Sequence, residues 1–234
     1  MRHTTLIVPG FHGSGETHWQ TWFERQLPNA RRISGVDWEL PRLADWSAAI
    51  LAAIDAEPHP VWLVAHSFGC LASVTAAAQR TEKVAGALLV APADPWRFTP
   101  SGLREWLPST EQHRTIDVDL PQTPLRFNTV VAASSNDPWV KLTVAAYWAE
   151  RWGSHFVNVG DAGHINTDAG FGPWPYGLAL FKKMQTAQDD APLGALNDLE
   201  RDDLCACNSV RHHLSPINQL KQDHLWCATL RQIV

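Results

Sequence analysis

The sequence is short of the features that mark several large protein classes. It holds only four cysteines in 234 residues. Cys70, Cys205, Cys207 and Cys227 are too few and too clustered for a disulfide scaffold in a chain of this size. No apolar run approaches the length of a membrane span. Near the start, Leu6-Ile7-Val8 is stopped at once by Pro9-Gly10, far short of the apolar core of a secretory signal. There is no block of Lys or Arg, and the formal net charge is −5. Neither nucleic acid nor an anionic membrane would be attracted to such a chain. No internal repeat is present. These absences set the expectation of a protein of the reducing cytoplasm, with no nucleic-acid or membrane partner.

What remains is the profile of an ordinary globular protein, 45% hydrophobic and 18% charged. Its length suits one domain with a proper core, and two would be crowded. Twelve tryptophans are the exception. Most are expected to fill core and rim. Trp139 and Trp174 are the candidates for the wall of an apolar substrate pocket.

Short apolar runs alternate with helical patterns. Thr4–Val8, Val61–Ala65, Val84–Ala91, Phe127–Ala133 and His155–Val159 read as buried strands, and Arg31–Ser34 as a further short one. Glu16–Leu27, Leu43–Ala56, Ser67–Arg80, Val140–Trp152 and Trp174–Lys183 carry helical spacing or good helix formers. Trp46, Ile50, Ala53 and Ile54, for instance, share one helical face. Continuous apolar strands alternating with helices predict an α/β protein. Its mostly parallel sheet of about six strands would have helices on both faces. The proline-rich stretch Asp94–Arg126 breaks the alternation. A short helix is expected near Leu103–Leu107, and the stretch is long enough only for a modest cap, not a large lid.

Composition shifts again near residue 186, so a catalytic domain is expected over residues 1–185 and an extension of unknown role over 186–234. The extension gathers Cys205, Cys207, His212, His213, His224 and Cys227. Their spacing fits no well-attested zinc pattern, and no metal is expected. A partner-contacting or homo-oligomer-forming role for the extension is the open alternative.

Chemistry concentrates in Val61-Trp62-Leu63-Val64-Ala65-His66-Ser67-Phe68-Gly69-Cys70. A buried strand runs straight into a serine, and an Ala-rich helix follows. This is the setting of a nucleophile elbow, whose strained turn lifts Oγ clear of the sheet. Ala65 stands where the usual pattern has its first glycine, and the competing reading of Ser67 is an ordinary helix N-cap. A serine hydroxyl needs a base and an acid to orient it. In this arrangement they follow in the order serine, acid, histidine. Asp137, in Ser134-Ser135-Asn136-Asp137-Pro138-Trp139, occupies the usual acid position after the second strand beyond the nucleophile. Asp94 is the alternative. His164, in Gly160-Asp161-Ala162-Gly163-His164, follows the last strand on a glycine-bearing loop. The backbone N–H groups of Phe11 and Phe68 are assigned to an oxyanion hole. The turn Pro9-Gly10-Phe11-His12-Gly13-Ser14-Gly15 has a competing reading as a phosphate loop, but it lacks the Gly-Lys-Ser/Thr ending.

Beyond these residues, VPGFHGSGETHWQTWFE, VWLVAHSFGCLAS, SSNDPWV and GSHFVNVGDAGHINTDAGFGPWPYGLAL together resemble the RBBP9/YdeN family of small serine hydrolases, over residues 4 to 183. The resemblance implies a compact α/β-hydrolase fold and a cofactor-free Ser67–His164–Asp137 enzyme of carboxylesterase type. Its expected substrate is a small acyl compound, an ester or alternatively an amide or peptide. A catalytically idle hydrolase fold serving as a binding module is the reading from another class.

Overall fold

A computed structural model describes residues 3–190. The first strand, β1 (Thr5–Val8), leads through α1 (Trp19–Gln26) to β2 (Ala30–Arg32). Helix α2 (Leu43–Asp55) precedes β3 (Val61–His66), and α3 (Phe68–Ala77) connects it to β4 (Val84–Val90). A two-strand hairpin, β5 (Phe98–Thr99) and β6 (Gly102–Leu103), lies in the proline-rich stretch. The chain then re-enters the sheet at β7 (Asn128–Ala133), crosses through α4 (Leu142–Trp152) to β8 (His155–Asn158), and continues into α5 (Pro175–Asp190). The six main strands form one sheet in the order β2-β1-β3-β4-β7-β8, and every pairing is parallel.

The inner strands β1, β3, β4 and β7 are largely apolar because both faces are covered, whereas the edge strands β2 and β8 are only partly buried, so His155–Val159 is not the buried strand expected. Leu6, Val8, Leu63, Ala65, Leu89 and Val131 point into a core shared with α2, α3 and α4. Residues one step along a strand point the other way. There the Trp62 ring meets Phe181 of α5 edge-on at 5.6 Å. Helix α3 is buried almost throughout, which explains its run of alanines: small side chains let its backbone lie close on the sheet.

Two expectations need correction. The helix expected near Leu103–Leu107 is a single 3₁₀ turn, Arg104–Trp106. Pro100, Gly102 and Pro108 leave too few residues to offset the entropy of nucleating an α-helix. The boundary placed after residue 185 falls inside α5, which runs to Asp190. The cysteine- and histidine-bearing segment, and any partner contact through it, lie outside the described residues. No helix among the described residues is long and apolar enough to cross a membrane.

Chain order reverses direction between β1 and β3, where the sheet grows first toward β2 and then toward β4. In open parallel sheets the crevice at the carboxyl ends of such strands is the favoured place for a ligand. The glycine-bearing turn follows β1, and Ser67 follows β3.

Candidate active site

Ser67 joins β3 to α3 with φ 52° and ψ −124°, a conformation L-residues rarely adopt. The sharp turn is possible because Gly69 has no side chain: a β-carbon there would overlap the Pro9 carbonyl oxygen. Ala65 sits inside β3 and is fully buried, so its methyl group fills core rather than obstructing the turn. The Ser67 N–H donates to the Val90 carbonyl at 3.0 Å, fixing the elbow to the neighbouring strand.

The imidazole of His164 is hydrogen-bonded at both nitrogens. Nε2 lies 2.9 Å from the Ser67 hydroxyl, and Nδ1 lies 2.7 Å from Asp137 Oδ2. The Asp137 side chain is only 1% exposed and that of His164 9%. The other carboxylate oxygen, Oδ1, accepts from the Trp139 N–H at 2.8 Å. Both oxygens are therefore engaged, and the carboxylate plane is set. Asp94 does not join this group. Its Oδ1 accepts from the Trp96 N–H at 3.0 Å and caps a 3₁₀ turn.

Phe68 opens α3 directly after the serine, so its N–H lies in the first turn beside the positive end of the helix. Phe11 is brought close by Gly10, where an added β-carbon would stand 2.8 Å from the Ser67 β-carbon. Residues absent from the sequence reading hold this turn. Gln20 is fully buried and donates from Nε2 to the carbonyls of Val8 at 2.9 Å and Val64 at 3.1 Å. Its Oε1 accepts from the Ser14 hydroxyl. Arg32 donates to the Ser14 carbonyl and is paired with Glu24 at 2.7 Å. A polar residue on the buried side of an amphipathic helix was the available signal for Gln20. Nothing local marks Arg32.

The tryptophans divide. Trp139 is 50% exposed, and the Arg97 guanidinium stands over its ring at 4.6 Å. Trp174 is a correction to the pocket-wall expectation. It is 5% exposed and packs edge-on against Trp19 at 5.2 Å, in a buried cluster with Phe23. An indole beside so much apolar surface gains more from burial than from solvent. On the solvent side, the proline-rich stretch leans over the elbow: Phe98 packs on Phe68 at 4.6 Å and Trp106 on Phe11 at 5.2 Å.

Two further histidines lie behind His164. His66 points away from the serine, and its Nε2 lies 2.9 Å from the His164 carbonyl. His18 caps α1 by accepting from the Gln20 N–H, and its ring is 5.0 Å from that of His66. Burial, then the neighbouring His164 and His18, hold His66 well below the ordinary imidazole range. Burial, followed by Arg32 and His164, lowers His18 to about 4. Both rings are neutral near pH 7. Burial also raises the Cys70 thiol, which removes it from nucleophilic chemistry.

A family model described as serine hydrolase matches residues 5–183. A YdeN-like hydrolase from Pectobacterium atrosepticum is 39% identical, with a TM-score of 0.70, over 80% of this chain and 92% of its own. The ydeN gene product of B. subtilis matches with a TM-score of 0.60 at 21% identity, over 79% of this chain and 100% of its own. Est1E from Butyrivibrio proteoclasticus, solved with ferulic acid bound, shares the fold at 13% identity and a TM-score of 0.57, over 79% and 87% of the two chains. Curated proteins gave no match. The architecture is the α/β-hydrolase fold.

Proposed function

The chain belongs to the serine hydrolase family of YdeN-like proteins, and from that premise we propose that it is a carboxylesterase-like enzyme. It would cleave a small acyl ester through an acyl-enzyme on Ser67. The observation that carries this reading is the doubly bonded imidazole of His164, between a hydroxyl and a buried carboxylate.

Attack begins when Ser67 Oγ adds to the ester carbonyl carbon as His164 Nε2 takes its proton. Asp137 keeps the proton on Nδ1 beforehand, so that Nε2 presents a lone pair, and it stabilises the imidazolium that forms. The negative charge on the former carbonyl oxygen falls to the N–H groups of Phe68 and Phe11. Such donors contribute roughly 3–4 kcal/mol each where they have been removed singly. Collapse expels the alcohol, which takes the proton from His164. Water then repeats the sequence on the acyl-enzyme and restores Ser67. An amide would follow the same path with a poorer leaving group.

A fluorophosphonate probe tests the assignment. Wild-type protein is expected to be labelled on Ser67 and to hydrolyse p-nitrophenyl acetate. Ser67→Ala is expected to take up no label and to lose about 10⁶-fold in kcat. Equal labelling of both would remove Ser67 as nucleophile. A folded wild type with no turnover across short esters, but tight binding of one of them, would favour the idle binding module.

A further inference from the structure

His164 lies on a loop that would not hold its shape unaided. Ile165, the residue after it, has φ 48°, an unfavourable conformation for a β-branched side chain, and it is completely buried. Gly160 and Gly163 have φ of 77° and 54°. A strained segment persists only where its surroundings over-determine it. On one side, the Ala162 N–H donates to Ser134 Oγ at 2.9 Å, and the Gly163 N–H to Asn136 Oδ1 at 2.7 Å. On the other side, two consecutive carbonyls are taken by ring donors from distant elements. His66 Nε2 holds the carbonyl of His164 at 2.9 Å, and Trp19 Nε1 holds that of Ile165 at 2.8 Å.

A carbonyl oxygen only accepts, so the proton of His66 is on Nε2, and Nδ1 turns toward Gly10 of the oxyanion turn. His66 is thus wedged between the loop that carries the base and the turn that follows β1. It reaches both because it precedes the serine on β3. Its ring also lies 4.9 Å from that of His164. The titratable groups around it are His164 and His18, with Arg32 acting on His18 and Asp137 bonded to His164.

We propose that His66, together with Trp19, is a positioning residue: a pair of neutral N–H donors that clamps the strained His164–Ile165 backbone so that Nε2 stays aimed at Ser67. The proposal rests on the Ser67–His164 reading above. Neutrality matters here, because a fixed cation in the same place would oppose the imidazolium that His164 becomes during turnover.

The test compares His66→Phe, which keeps a ring and loses the donor, with His66→Gln, which restores an amide N–H. Fluorophosphonate titration counts competent sites, and kcat and KM on p-nitrophenyl acetate are then expressed per titrated site. His66→Phe is expected to lose about 10²-fold in kcat with KM little changed, the scale of a small misplacement of a catalytic group. His66→Gln is expected to recover most of that loss and to retain the acid limb of the pH profile, the fall in activity that protonating a general base produces. Trp19→Phe carries the same expectation as His66→Phe and serves if the latter fails to fold. Equal losses in the Phe and Gln variants would overturn the proposal. So would a drop confined to the number of labelled sites, with the rate per site unchanged. Loss of the acid limb in His66→Gln would make His66 itself the titrating group, which also overturns it. Wild-type behaviour in all three variants, while Ser67→Ala is dead, would sink the clamp alone. An unlabelled wild type would sink the hydrolase reading instead.

Discussion

Two glycine-bearing loops face Ser67 from different strands, and they are held by different chemistry. The turn after β1 is tied by Gln20 and by Arg32, whose charge is paired with Glu24. The loop after β8 is tied by hydroxyl, amide and neutral ring donors and acceptors: Ser134, Asn136, Trp19 and His66. The difference suits the charges that would develop in the acyl transfer proposed above. In that proposal the first loop presents a backbone N–H to an oxygen that becomes negative, so a cation behind it does no harm. The second would present an imidazole that becomes positive, and each of these anchors on its backbone is uncharged. Only Asp137, on the far nitrogen, carries a charge, and its sign is the favourable one.

The comparison can be broken from either side. Asp137→Asn is expected to have the largest effect. It removes the charge and favours the wrong tautomer of His164 while leaving the fold intact, and kcat should drop by about 10⁴. Steady-state kinetics with a thermal melt as control checks this, and a loss of only a few fold would mean that the β8 loop alone orients the ring.

Acid should act next, through the histidines between the two loops. His18 titrates at about 4 in the folded protein and near 6.5 when unfolded. The unfolded chain therefore binds more protons between those values, and stability falls as pH drops from 6.5 to 4. The loss from His18 should reach about 3 kcal/mol by pH 4, with His66 adding in the same direction. Urea unfolding at stepped pH measures it. His18→Asn keeps a good N-cap without a titrating ring and should flatten the slope.

The smallest of the three changes is Gln20→Leu. It leaves the Val8 and Val64 carbonyls and the Ser14 hydroxyl short of a partner, for about 2 kcal/mol of stability. If the turn after β1 is held as described, oxyanion stabilisation should weaken as well. Chemical denaturation and kcat together check this, and unchanged values for both would assign the hold on that turn to Arg32.

Much of the fold was legible along the chain because burial leaves a local mark. Strands covered on both faces must be largely apolar, and β1, β3, β4 and β7 appear as such runs, whereas β8 lies at the sheet edge and is only partly buried. Helix α2 shows its buried face at the spacing of Trp46, Ile50 and Ile54. The serine, acid and histidine were also readable, since each follows a strand, and the parallel topology delivers strand ends to one edge. The proline-rich stretch was less so. Its pattern of short turns and a two-residue hairpin leaves no period to detect.

The sequence by itself determined the alternation of strand and helix, the elbow around Ser67, and the candidate hydroxyl, carboxylate and imidazole at strand ends. It could do so because those features depend on neighbours within a few residues. Only the tertiary structure decided that Trp174 is buried while Trp139 is open, and that Gln20, His66 and Trp19 hold the two loops. Each of these is a pairing between segments far apart in the chain. A hydrogen-bond donor carries no mark of its partner until folding brings the two within 3 Å of each other.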